Sequence, residues 1–426
     1  MSVNWKRIAH FSRVRPSAMI LIVATLLTAF PVLSLQAQTF TALYSFKGNP
    51  DGAGPATPTK DKQGNLYTTT YTGGAYDFGT VVKIDPKGNE TVLHDFTGGS
   101  DGSTPTSSVI MDSQGNLYGT TYIGGGPYCF QGYGCGVVYE LSPGKDGWTE
   151  TVLHSFKGSD GAHPGTGALA FDTEGNLYGT TENGGHTNCS TGCGVVYELI
   201  HNRGGWKERI LHFFRGARKA DGANPHAGVI LDAAGHVYGT TYYGGTFGLG
   251  TVYKIDPSGS ESILYSFAGQ ADGGGPLAAL VQDEAGNLYG TAAYGGDLSC
   301  ANAYPIGCGT VFRLDASGTE TVLHTFIGYP SDGNSPGTPL VRDKAGNLYG
   351  TAGGGSSTAC QDNNQPVGCG VIFKLNKKGR EVLLHNFSAE ADGTGPVGVT
   401  LSGGYLYGAA MAGGAGGNGT VFKLTR

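Results

Sequence analysis

The stretch Gly115-Asn116-Leu117-Tyr118-Gly119-Thr120-Thr121-Tyr122-Ile123-Gly124-Gly125 decides how this chain is read. Leu-Tyr-Gly or a close variant returns with its tyrosine at 67, 118, 178, 238, 289, 349 and 407, at intervals of 51 to 60 residues. One unit of that size cannot bury its own apolar face, so such a period means a supersecondary unit stacked on copies of itself.

Outward from that stretch, the second unit reads Ser107 to Asp112, Leu117 to Ile123, a glycine-rich loop, Val137 to Leu141, a Pro-Gly turn, and Glu150 to Phe156. These are four strands rich in β-branched and aromatic residues. No window beyond the first 37 residues sustains a 3.6-residue apolar period, so the chain reads as all-β. Asp112-Ser113-Gln114-Gly115 and its repeats, and Asp85-Pro86-Lys87-Gly88, are tight turns in which glycine supplies a positive φ. Short connections pair neighbouring strands antiparallel. A radially repeated four-stranded antiparallel sheet is a propeller blade, so the spacing predicts a seven-bladed β-propeller. The strand Ala42 to Phe46 matches fourth strands such as Val152 to Phe156, while the seventh unit stops one strand short. The N-terminal strand is therefore expected to complete the last blade and remove the open sheet edges. A right-handed β-solenoid is the alternative, with shorter repeats and without these hairpins. Closure puts the crossovers and the loops between second and third strands on one face, where binding would be sought.

Gly 76 and a charged fraction of 14% mark turns at fixed offsets, not disorder. A net charge of -6 leaves no basic stripe, which excludes nucleic acid as a partner. Residues 1–37 carry Lys6, Arg7, Arg13 and Arg15 before an apolar run from Met19 to Leu35, a signal peptide with cleavage near Ala37. An uncleaved anchor is the runner-up. Residues 38–426 are then one propeller domain with no membrane span and no C-terminal hydrophobic anchor, expected as a monomer that is secreted, extracellular or periplasmic.

Val-Leu-His-x-Phe, Asp-Gly, Asn-Leu-Tyr-Gly-Thr, Gly-Gly and Gly-Thr-Val-Phe together resemble the GloVer tandem repeat, a choice-of-anchor family of exported bacterial proteins. The likeness covers residues 40–426. It implies a repetitive, propeller-like extracellular protein, often with a C-terminal anchor that this chain does not display. It implies no known reaction, so no catalytic residue is carried over.

A residue present in every unit builds the units, and function is sought where they differ. Asp-Gly recurs at Asp51, Asp101, Asp160, Asp221, Asp272, Asp332 and Asp392. No crossover has the closely spaced carboxylates of a calcium loop, and Asp in such turns bonds its own backbone. The fourth-strand His94, His154, His212, His324 and His385 exchange with Tyr44 and Tyr265, which favours packing between blades over metal binding. Cys129 and Cys135, Cys189 and Cys193, Cys300 and Cys308, and Cys360 and Cys369 lie within four equivalent loops, which reads as four disulfides rather than zinc sites. On the loop face His163, Glu182, His186 and His226 are the candidate ligand-binding residues. Three converging imidazoles suit a transition metal, although loop histidines are ordinarily solvated, and neither a metal nor a cofactor is expected. Trp148 and Trp206 begin fourth strands, where they pack on a blade or stack on a sugar. The favoured function is a binding module for glycans or surface proteins. The alternative is a polysaccharide hydrolase or lyase, which needs paired carboxylates; Glu182 and Asp297 are the acids to test for it.

Overall fold

The computed structural model describes residues 38–126, 129, 132–186, 189–216, 221–300, 306–362 and 364–426, so the expected signal peptide lies outside the described residues. Each repeat folds as an antiparallel meander, and seven of them make a β-propeller. In blade 2 the order is Ile110–Met111, Leu117–Thr121, Val137–Gly144 and Gly147–Ser155. The first strand is shorter than its apolar run, and Ser108, two residues before it, lines a central cavity.

Each residue of the recurring stretch has its own place in the blade. Leu117 is fully buried at the junction with blade 1. The Tyr118 hydroxyl donates to Asp112 Oδ2 at 3.2 Å, and Asp112 also accepts from the Gln114 and Asn116 amides. The tyrosine thus pins the turn that starts its own strand. Gly119 faces Tyr139 directly across the ladder, and a Cβ there would lie 2.4 Å from the phenolic oxygen.

Consecutive blades are joined in two ways. Among the described residues, seven hydrophobic clusters each bridge one junction. Leu117, Tyr139 and Leu141 pack on Val81 and Phe96, for instance, and Leu66 and Val82 pack on Phe46, Tyr407 and Val421. The second link is a backbone hook. The amide of the residue before each crossover proline donates to a carbonyl at the start of the preceding blade's third strand: Thr104 to Phe78, His163 to Cys135, Asn224 to Cys193, Gly275 to Leu249 and Ser335 to Cys308, all at 2.8 Å, and Gly395 to Cys369 and Gly54 to Asn418 at 3.0 Å. The donor takes a positive φ of 47–67° at all seven junctions. Three blades use glycine there; Thr104, His163, Asn224 and Ser335 hold the conformation at a cost of about 1–3 kcal/mol each.

The cysteines serve the same hook. Cys135, Cys193, Cys308 and Cys369 carry its acceptor carbonyls. Each sits at disulfide distance from its loop partner, with Cα separations of 5.0, 5.2, 5.7 and 5.2 Å. The strand Phe40–Ser45 pairs antiparallel with Thr420–Thr425, so the N-terminal strand completes blade 7 as the repeats require.

Candidate functional site

The position three residues after the Gly of Leu-Tyr-Gly ends each second strand on the loop face. Around the ring it holds Tyr71, Tyr122, Glu182, Tyr242, Ala293, Gly353 and Met411. One sector is therefore aromatic with a single carboxylate at its centre, and the next two positions are nearly bare.

Glu182 closes the strand Leu177–Asn183 and is buried. Its Oε1 lies 2.8 Å from His226 Nδ1, and the Tyr122 hydroxyl donates to its Oε2 at 3.3 Å. Asn224, one of the strained hook residues, donates through Nδ2 to the Glu182 carbonyl at 2.8 Å. His163, another hook residue, is only 4% exposed and stacks on Tyr122 with centroids 4.7 Å apart. Thr191 donates to Asn183 Oδ1 at 2.6 Å, which turns the amide nitrogen toward His163 Nδ1 at 3.2 Å and fixes that nitrogen as an acceptor. Burial holds the His163 imidazole below its ordinary value while the Glu182 charge opposes it. Burial, then the Glu182 charge, pushes the Tyr122 phenol up to about 12, so it remains a donor at neutral pH. A pocket of about 240 Å³ opens among Tyr122, Ile123, Tyr133, His163, Asn183 and Thr191. Tyr242 extends the surface, edge-on to His226 at 5.4 Å and to Tyr243 at 4.5 Å, and Tyr133 and Tyr243 are at least half exposed.

Three of the four residues singled out from sequence thus gather around one sector. His186 does not join them; it packs on Phe213 at 5.1 Å. Sequence reasoning missed Tyr122, Asn183, Asn224 and Tyr242. Their signal was present as departures from the ring consensus, but Tyr122 and Tyr242 share their type with Tyr71 and so passed for architecture. Asp297 is half-buried and spends an oxygen on its own loop, on Ser299. Trp148 packs on Tyr67 and Trp206 on Tyr118, both at 6.2 Å.

A second cavity of about 820 Å³ is axial, lined by residues from every blade. Its wall includes Thr57, Thr106, Ser108, Thr166, Leu277 and Thr338, and no lining residue is charged. It offers hydroxyls and apolar surface but no acid or base.

The fourth-strand rings do more than pack. Each stacks edge-on against the phenylalanine two residues later, as His94 does on Phe96 at 4.7 Å. Each also meets its crossover aspartate: His324 and His385 at 3.1 and 3.0 Å, and Tyr265 likewise at 3.1 Å. Phenol and imidazole are interchangeable there because either reaches that carboxylate. At six of the seven junctions the opening glutamate of the next blade's fourth strand then completes the junction. Glu90 and Glu150 each keep a buried oxygen without a hydrogen-bond partner. Burial, then the charge of Asp51 or Asp101, pushes both up to about 7. The fold therefore binds these protons more tightly than the unfolded chain does. Their contribution is whole below about pH 4.5 and is lost as pH rises through about 7. The Glu90→Gln, Glu150→Gln double variant is expected to match the wild type in melting temperature at pH 4.5 and exceed it at pH 8. Equal melting at both pH values would refute this.

A family model for the Gloeobacter/Verrucomicrobia repeat matches residues 29–199, 129–361 and 186–422. No curated protein matches the chain significantly. Among solved structures, the extracellular domain of a protein assigned as a hybrid two-component system of B. thetaiotaomicron aligns with TM-score 0.56 and 9% identity over 91% of this chain and 40% of that one. A second such domain from the same organism aligns with TM-score 0.53 and 13% identity, over 91% and 41%. Puromycin hydrolase aligns with TM-score 0.52 and 13% identity, over 85% and 50%. The chain spans half or less of the length of these three proteins, and what it shares with them is the fold.

Proposed function

The chain belongs to the Gloeobacter/Verrucomicrobia repeat family, and from that premise we propose that it is an extracytoplasmic binding module whose loop face takes a neutral glycan in the sector of Tyr122, Glu182, His226 and Tyr242. The observation that carries this reading is the broken sevenfold symmetry: one buried carboxylate stands between two tyrosines where the other four blades place tyrosine, alanine, glycine and methionine. Tyrosine offers a flat apolar face with a polar rim, suited to a sugar ring. Glu182, His163 and Asn183 add acceptors and donors for hydroxyls. The small pocket's lining has no Lys or Arg to pair with an acidic sugar, which favours an uncharged one. The four cysteine pairs support an oxidising compartment outside the cytoplasm.

A hydrolase is less well supported. It needs two carboxylates flanking one bond, and Glu182 is the single acid among the seven positions that end the second strands, while Asp297 is committed to its loop.

A neutral-oligosaccharide array followed by calorimetry tests the proposal. The wild type is expected to bind at least one neutral glycan. Glu182→Gln should weaken it by roughly 10-fold or more, the loss of a charged hydrogen bond of about 1.5–3 kcal/mol. An array without hits would overturn the glycan reading, and release of new reducing ends would revive the hydrolase.

A further inference from the structure

We propose that three blade junctions are binding sites for divalent transition-metal ions, each formed by the imidazole and crossover aspartate of one blade and the first fourth-strand glutamate of the next. The site between blades 2 and 3 is His154, Asp160 and Glu208; the other two are His212 with Asp221 and Glu261, and His324 with Asp332 and Glu381. In each, one donor atom from every residue lies within 4.8 Å of the others.

The geometry favours zinc or cobalt. His154 Nε2 is 3.3 Å from Asp160 Oδ2 and 3.5 Å from Glu208 Oε2; His324 Nε2 is 3.1 Å from Asp332 Oδ2 and 3.6 Å from Glu381 Oε1. Bonds of about 2.0–2.1 Å arranged tetrahedrally put ligand atoms about 3.3–3.4 Å apart, and these histidine-to-carboxylate contacts of 3.1–3.6 Å lie near that edge length. The aspartates are held for the task by backbone donors: Lys157 N on Asp160 Oδ1, and Gly333 N on Asp332 Oδ1. Such outer contacts orient metal ligands. The three glutamates each keep one buried oxygen without a hydrogen-bond partner. Ionised as metal ligands, the two carboxylates would carry a double negative charge beside the imidazole in a partly desolvated place. One divalent cation cancels it. The imidazoles are 17–18% exposed, which leaves room for water as a fourth ligand.

The ring contains its own controls. Tyr265 and Tyr44 replace the imidazole at two junctions, and at the junction of His385 and Asp392 the glutamate is replaced by Phe40, which stacks on the histidine at 4.1 Å. None of these has the full ligand set, and at the junction of blades 1 and 2 the same residue types, His94, Asp101 and Glu150, do not bring one donor atom each within 4.8 Å of the others.

The full chain, stripped with EDTA and equilibrated with Zn²⁺ or Co²⁺ alone, is expected to retain three ions by elemental analysis and to show the visible absorption of four-coordinate Co²⁺. His154→Tyr, His212→Tyr and His324→Tyr repeat an exchange the fold already accepts; each should remove one ion. Tyr265→His supplies the imidazole missing beside Asp272 and Glu320 and should add one. Zn²⁺ should raise the melting temperature of the wild type and not of the triple tyrosine variant. The proposal is overturned if the wild type holds no more metal than the triple variant, or if Tyr265→His leaves the stoichiometry unchanged.

Discussion

Deletion of Phe40–Phe46 is expected to abolish cooperative unfolding. This strand pairs with blade 7 from Phe40 opposite Leu424 to Ser45 opposite Thr420, and the Phe46 amide donates to the Gly419 carbonyl at 2.9 Å. Phe46 is fully buried in the cluster that joins blade 7 to blade 1, Leu43 packs against that cluster, and Phe40 packs on Phe422 at 5.0 Å. Truncating one buried phenylalanine costs about 3–5 kcal/mol. Losing two aromatic anchors and their ladder costs on the order of 10 kcal/mol, against a native stability of about 5–15 kcal/mol. The deletion also exposes the outer edge of Thr420–Thr425, so aggregation should accompany it. Two measurements check this: thermal unfolding of the deletion, and its rescue by a synthetic peptide of residues 38–48. A deletion variant that melts cooperatively within a few degrees of the wild type would show that closure is not what holds the ring. Phe46→Ala is the milder version, with an expected loss of about 3–5 kcal/mol.

That closure was legible in the sequence because a fourth strand without its first three has nowhere else to pair. Blade number, strand order and the cysteine pairs were legible for the same kind of reason: they are periodic or local. What stayed hidden joins different repeats. Glu208 opens the third repeat's Glu-Arg-Ile-Leu-His, yet the groups it meets, His154 and Asp160, belong to the preceding blade. Only the offset between neighbouring blades makes that contact, and no spacing within one repeat encodes it. Hence the fourth-strand histidines read as packing residues, which they are, without their carboxylate partners. The candidate sector was half visible. Glu182 and His226 stood out as exceptions, whereas Tyr122 was masked by Tyr71 and Tyr242. His186 stood out equally and lies elsewhere, because sequence places a residue on a loop without saying which way the loop turns.

The glycine of the recurring stretch yields the sharpest test of this architecture, in the one blade that breaks its rule. Six blades pair that glycine across the ladder with an aromatic: Gly119 with Tyr139, Gly179 with Tyr197, Gly239 with Tyr253, Gly290 with Phe312, Gly350 with Phe373 and Gly408 with Phe422. Blade 1 instead pairs Thr68 with Val82. A Cβ on any of the six glycines would come within 2.6 Å of its partner's ring or hydroxyl. The rings are fully buried and cannot retreat. Gly119→Thr alone should therefore cost about 3 kcal/mol or more through overpacking. Tyr139→Val alone should cost about 3 kcal/mol through the cavity it leaves. The double variant recreates the blade 1 pair, removes the clash, fills part of the cavity and adds a β-branched residue to a strand, which favours it slightly. It should be more stable than either single variant, with a coupling of about 2–3 kcal/mol measured from four denaturation curves. Strict additivity would mean that the glycine is required by the backbone itself and that the steric account is wrong. The backbone predicts otherwise: Gly119 is not among the residues with positive φ, and the three atoms nearest a Cβ there all belong to the ring and hydroxyl of Tyr139.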